Sequence, residues 1–179
     1  AQRIKESFTL SDINKRETIQ STRAAYKAFG KDPNRYRPSA EALCRRIVKG
    51  IELYHISTLV DLINLVSMHT GFSIGGFDTE KINGDLILGV GNANEEFQGI
   101  GRGLLNIEGL PVYRDTTGPI GTPTSDEERT KLTLDTHEIL IIINAYSSPD
   151  LLDNATRLSC RLLTDYASAE YLSFYKIFQ

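Results

Sequence analysis

Two clusters of side chains have types and spacing that could do chemistry. Thr124, Ser125 and Asp126, followed by Arg129 and Thr130, put hydroxyls, a carboxylate and a guanidinium in one short stretch. Such a set can bind a polar substrate or orient a water, and it can equally cap a turn while Arg129 pairs with a carboxylate. Asp61, Asn64 and Ser67 recur at three-residue steps, which places them on one side of a helix, where a buried polar seam must be hydrogen-bonded. Gly75 and Gly76 follow in an apolar segment, where missing side chains let a ligand or another backbone approach. A Ser-His-Asp set can be drawn from Ser125, His137 and Asp126, but no G-x-S-x-G elbow accompanies it, so Ser125 is read as a hydrogen-bonding residue. His55, His69 and His137 lack ligand spacing, so neither a metal nor a cofactor is expected. The glycines of Gly99-Ile100-Gly101-Arg102-Gly103 are read as turn glycines, because no helical pattern follows them.

The elements that must position these groups follow from pattern. Thr58, with Asp61 three positions on, caps a helix that ends at Gly71. Leu59, Val60, Leu62, Ile63, Leu65 and Val66 predict burial nearly all round it. The segment 72–78 then reads as a strand walling a pocket. Upstream, Thr9 and Asp12 open a mostly polar helix running to Gly30, read as a surface or docking helix over residues 1–30, ahead of a single globular unit over 31–179. Residues 31–38 form a loop presenting Arg35-Tyr36-Arg37, and Ser39 caps a helix with an apolar stripe of Leu43, Cys44, Ile47 and Val48. Glu41 and Arg45, four apart, can pair along it. Strands are predicted over 85–91 and 110–114, with an extended arm over 119–123. The β-branched run from Glu138 to Tyr146 predicts a central strand buried on both faces. Ser148-Pro149-Asp150 starts a last helix whose core-facing set is Leu151, Leu152, Ala155, Leu158, Leu162 and Leu163. Helices, then strands, then a helix give an α+β class.

At 179 residues the chain can bury a real core without metals or disulfides. Cys44 and Cys160 are read as free thiols, which points to the cytoplasm, and no apolar run is long enough to span a bilayer. The sequence opens on Ala1 with no leader-like segment, as expected of a start inside a longer gene product or after a tag. A net charge of −3 argues against coating nucleic acid by charge alone. Its distribution is uneven, however. Lys27, Lys31, Arg35, Arg37, Arg45, Arg46 and Lys49 stand against Asp32 and Glu41, so residues 27–49 carry +5 and the remainder −8. A basic stretch on an acidic protein is what contact with a phosphate backbone needs, and it is also what a solvated helix face looks like.

Three blocks carry a family resemblance. V-D-x-x-N-x-V with G-x-x-x-G-x-F-D, spanning Val60 to Asp78, is joined by R-Y-R-P-S-x-E-A-L-x-R-R at Arg35 to Arg46 and T-S-D-x-x-R-T at Thr124 to Thr130. Together, in this order, they resemble the editing domain of the phenylalanyl-tRNA synthetase beta subunit, its third and fourth segments, and the free-standing bacterial relatives of that module. The likeness runs from about Lys31 to Ser147. It implies a layered sandwich of mixed β-sheets with flanking helices, and hydrolysis of a mischarged aminoacyl-tRNA ester. It also implies substrate contacts from Asn64, Ser67, Gly75, Gly76, Thr124, Ser125 and Asp126, and contact of Arg35, Arg37, Arg45 and Arg46 with tRNA.

Two positions depart from that family. Where the bacterial synthetase has a His before its Ala-Phe-Asp, this chain has Gly75, and its strand Glu aligns with Ile142 or Ile143. These groups would orient water and recognise the amino acid, so their loss alters substrate or mechanism. The main reading is therefore an aminoacyl-tRNA deacylase whose catalytic residues are unassigned. The alternative is a non-catalytic module for RNA, an aminoacyl end or a free amino acid, and a third reading is a pocket turned to an unrelated metabolite.

Overall fold

The structure, a computed structural model, describes residues 2–147 and 149–176. The elements in chain order are helices α1 (Gln2–Ser7), α2 (Leu10–Ile13), α3 (Glu17–Ala28), α4 (Ser39–Val48) and α5 (Thr58–Thr70), then strand β1 (Ser73–Asp78) and a 3-10 turn (Thr79–Lys81). Strands β2 (Ile87–Val90), β3 (Gln98–Gly99), β4 (Gly103–Leu104), β5 (Pro111–Arg114), β6 (Pro119–Gly121) and β7 (Ile139–Asn144) precede helix α6 (Pro149–Ala167). Ser148, the expected start of α6, lies outside the described residues. The fold is α+β with helices flanking antiparallel sheets. β1 pairs with β7, β2-β5-β6 form a three-stranded sheet, and β3-β4 is a hairpin turning through the glycines at 101 and 103. The one parallel contact among the described residues is the isolated bridge between Gly91 and Glu108.

The N-terminal helices are more deeply embedded than their polar composition predicts. One helix over 9–28 becomes two, because the chain breaks between Asn14 and Arg16 after the Thr9/Asp12 capping box. Across that break the apolar residues fall on one side. Ile13 and Ile19 are fully buried with Cys44, Ile47 and Met68, and Tyr26 is fully buried with Phe97, Ile107, Leu110 and Val112. α3 thus bridges both core clusters, and each such side chain contributes roughly 1.5–3 kcal/mol of burial. Its polar groups close the end of α5. Arg16 donates to the carbonyls of Met68 and His69, each at 2.7 Å, and Thr18 donates to that of Thr70 at 3.0 Å. These are the carbonyls that a helix end leaves unpaired. Gly71 then turns the chain at φ 81°, where an added Cβ would lie 2.3 Å from the Thr18 hydroxyl.

Three expectations for the central elements are corrected. The α5 cap is Ser57, one residue earlier than expected, its hydroxyl accepting from Val60 N at 3.3 Å. The helix is also not buried all round, since Leu65 is 43% exposed while Ile63, Val66, Ser67 and Met68 are buried. β7 pairs only with β1 among the described residues, and its isoleucines are half-buried rather than central. Its apolar run serves a two-stranded ladder. One face packs on helices, where Ile74 and Ile141 meet Ile63, Val66, Leu162 and Leu163. On α6 the buried positions are Ala155, Ser159 and Leu163, one per turn, while Leu151 is exposed.

Candidate functional site

The site begins with the two faces of the β1-β7 ladder. Side chains alternate along a strand, and residues paired across a ladder share a face. Ile74 with Ile143 and Gly76 with Ile141 therefore face α5 and α6, and a Cβ on Gly76 would meet Ile63 at 2.7 Å. Ser73 with Asn144, Gly75 with Ile142 and Phe77 with Leu140 face the other way. Of the two positions that could match the synthetase's Glu, Ile142 is thus the one opposite Gly75 on a common face.

That face is closed by the hairpin carrying Thr124, Ser125 and Asp126. β6 ends at Gly121, and the chain returns through an antiparallel bridge between Gly121 and Asp126. The turn is built on Thr122, a residue with no sequence signal of its own. Its hydroxyl accepts from the N–H groups of Thr124 and Ser125, each at 3.1 Å, and donates to the Ser125 carbonyl at 3.1 Å. The next carboxylate is thereby delivered to β1. Asp126 Oδ2 accepts from Gly76 N at 3.1 Å, joining segments 50 residues apart. Asp126 Oδ1 lies 2.8 Å from where a Gly75 Cβ would stand and 3.2 Å from that of Gly121, beside the buried Phe77 ring. Burial raises the Asp126 carboxyl to about 7, against the opposing pull of the Gly76 hydrogen bond.

Tyr113 is the tyrosine whose hydroxyl feels this carboxylate. Tyr113 donates to Asn144 Oδ1 at 2.7 Å, and Asn144 Nδ2 donates to the Ser73 carbonyl at 3.0 Å, so the phenol and the ladder fix one another. Burial pushes the Tyr113 hydroxyl up, and the negative charge of Asp126 pushes it further. Tyr26 shares a 2.8 Å hydrogen bond with the Thr124 hydroxyl. Tyr146 is also raised by burial, then by Tyr113 and Tyr26. All three phenols therefore remain neutral donors at ordinary pH. Tyr26, Tyr113 and Asn144 were missed from sequence. The one available signal was Asn144, a polar residue ending an apolar strand, which burial obliges to find a partner.

Gly75, Gly76, Thr124, Ser125 and Asp126 thus come together, while Asn64 and Ser67 do not join them. Both sit on α5, which packs against the opposite face of the ladder. Ser67 is buried and donates to the Phe72 carbonyl at 2.8 Å, Asn64 is half-buried, and Asp61 accepts from Ile56 N and pairs with exposed His55 at 2.8 Å. Arg129 makes a two-pronged contact with Asp115, at 3.0 and 2.9 Å, and also donates to the Lys81 carbonyl. Burial works against the Asp115 charge, but Arg129 and the N–H groups of Asn83, Thr117 and Gly118 outweigh it and hold the carboxyl at about 2.

The basic residues divide in a similar way. Glu41 is fully buried and receives Arg45 Nε at 2.7 Å and Arg23 Nη1 at 2.8 Å, with Arg37 Nε 3.5 Å away. Arg46 donates to the Glu52 carbonyl and lies over the Tyr54 ring, while Arg35 is exposed beside Tyr36. Three guanidiniums on one carboxylate leave surplus positive charge on this side of the molecule. Among the described residues no group of three or more His, Cys, Asp or Glu is placed to hold a metal ion, and no helix is long and apolar enough to cross a membrane.

Comparison with known proteins agrees with this architecture. Curated proteins give no sequence match. Among solved structures the chain is similar to an N-terminal fragment of the phenylalanyl-tRNA synthetase beta-subunit from Pyrococcus horikoshii, with a TM-score of 0.53 and 18% identity. That match covers 61% of this chain and 40% of the fragment, and at this identity it speaks for the fold. The B3/4 domain matches residues 21–169, from the middle of α3 to just past α6. The chain belongs to the B3/4 domain family.

Proposed function

We propose that this B3/4 domain receives the aminoacyl end of a charged tRNA against Gly75, Gly76, Thr124, Ser125 and Asp126 and hydrolyses its ester. The observation that carries the reading is the contact of Gly76 N with Asp126 Oδ2, which brings Gly75 and Gly76 against the half-buried carboxyl of the distant Thr124-Ser125-Asp126 segment. An ester is already activated, so a positioned water and a fixed carbonyl are enough to accelerate its cleavage. Gly75 leaves the Asp126 carboxyl room against β1, Gly76 N binds that carboxyl, and Tyr26 fixes the Thr124 hydroxyl on the same hairpin. Arg35, Arg46 and the guanidiniums around Glu41 supply the positive face that a tRNA backbone requires.

A second reading, a binding module without catalysis, is favoured by one feature. Gly75 and Ile142 face each other, so the synthetase's imidazole and carboxylate have no counterpart on that ladder rung. Deacylation of tRNAs carrying correct and incorrect amino acids separates the two. The hydrolase reading predicts release of one misplaced amino acid well above the spontaneous rate. Thr124→Ala should slow it, and Asn64→Ala, on the other side of the ladder, should leave it unchanged. Salt-sensitive tRNA binding with no deacylation of any charged species would replace the hydrolase by the binding module.

A further inference from the structure

We infer that Asp126 is the general base of this hydrolysis, taking the proton of the attacking water on its Oδ1, beside Gly75. The inference rests on the deacylase reading and deepens it, because it assigns the proton transfer to a residue outside the two positions where the synthetase's His and Glu align. Geometry carries it. Asp126 Oδ1 stands 2.8 Å from the point where any side chain at position 75 would begin, so Gly75 is the residue that makes room for this carboxyl. Oδ2 is tied to Gly76 N at 3.1 Å, which fixes the carboxyl and leaves Oδ1, without a hydrogen bond among the described residues, to accept a proton. The Phe77 ring, 1% exposed, packs against the same spot, its Cζ 2.7 Å from that point.

The surroundings suit the task. Burial holds the carboxyl at about 7, where a base is strong enough to deprotonate water in the transition state and still ionised in a large share of molecules. Tyr113 from β5 is the titratable group whose hydroxyl feels the Asp126 charge, and Tyr26 from α3 and Tyr146 beyond β7 lie within range of Tyr113. Arg102, from the β3-β4 turn, offsets part of the burial felt by Tyr26. On its own segment Asp126 is followed by Glu127, whose carboxylate accepts from Arg129 N, and by Arg129, which is committed to Asp115.

In the step, the water oxygen attacks the ester carbonyl carbon while its proton passes to Asp126 Oδ1. The carbon–oxygen bond to the ribose then breaks, and the departing ribose oxygen takes the proton back from Asp126. One water and one ester become one amino acid and one free ribose hydroxyl, with the carboxylate restored.

The test is the pH–rate profile of the parent and of Asp126→Asn on tRNAs charged with correct and incorrect amino acids, corrected for spontaneous hydrolysis. The parent kcat is expected to rise about tenfold per pH unit up to about 7 and flatten above it. Asp126→Asn retains an oxygen for Gly76 N, so it should fold, bind with a similar KM, and lose roughly 10²-fold in kcat together with the inflection. A variant as fast as the parent overturns the inference and leaves the deacylase standing. So does a parent profile flat across about pH 6–8. A parent that hydrolyses none of these tRNAs overturns both.

Discussion

Glu41→Ala should cost the protein about 3–5 kcal/mol of stability, read as a lower denaturant midpoint at unchanged slope. Glu41 is 0% exposed, and its carboxylate holds Arg23 of α3, Arg45 of α4 and, more loosely, Arg37 of the preceding loop. Arg23 extends the tie to the Pro33 carbonyl and Asn34 Oδ1, so one carboxylate joins two helices and the loop between them. Removing it leaves three guanidiniums crowded without a counter-charge. Glu41→Gln should lose less, because an amide still accepts hydrogen bonds but cannot offset the cations. A loss below about 1 kcal/mol for Glu41→Ala would mean that these cations are solvated, and the ion cluster would not hold this part of the fold together.

Asp126→Asn is expected to act in the opposite direction, stabilising the protein by about 2–4 kcal/mol at pH 7–8. The unfolded chain returns Asp126 to an ordinary carboxylate value, near 3.8, whereas the folded protein holds it at about 7. Between those values the folded state binds more protons, so the parent loses stability as pH rises from about 4 through 7. Below about 4 both states are protonated and the penalty vanishes. Asn carries no such charge, so the variant's gain should grow across that window and disappear in acid. Thermal melts of the two proteins at pH 4 and pH 8 check this. The base proposed at Asp126 would be held at a cost in stability, the trade expected of an active site, and equal pH dependence in parent and variant would remove the basis for the proposal.

The sequence showed part of this arrangement, and the limits were physical. α5 and β1 were legible because the apolar run, the glycine stop and the apolar segment after it are local signals. The cap slipped from Thr58 to Ser57 because adjacent hydroxyls compete for the same N–H groups. The burial of Ile13, Ile19 and Tyr26 was hidden because the break at Asn14 to Arg16 interrupts the helical pattern and few apolar residues mark either piece. Thr124, Ser125 and Asp126 were legible as a polar block. Their partner was not, since the Gly76 contact spans 50 residues and depends on a turn organised by Thr122. Asn64 and Ser67 shared a helix side with Asp61, but that pattern could not tell which face of the ladder the helix would cover. The Glu41–Arg45 pair was legible from its four-residue spacing, whereas the approach of Arg23, 18 residues away, to the same carboxylate was not.

The proposed site is tested most directly by amide mapping by NMR with a non-hydrolysable 3′-aminoacylamino-adenosine, which mimics the charged end of tRNA. The largest shifts are expected on Gly75, Gly76, Thr124 and Asp126, with smaller ones at Tyr113 and Asn144. Shifts confined to the open hollow bounded by Glu96, Phe97, Leu104 and Asn106, or to the α5 face carrying Asn64, would contradict it.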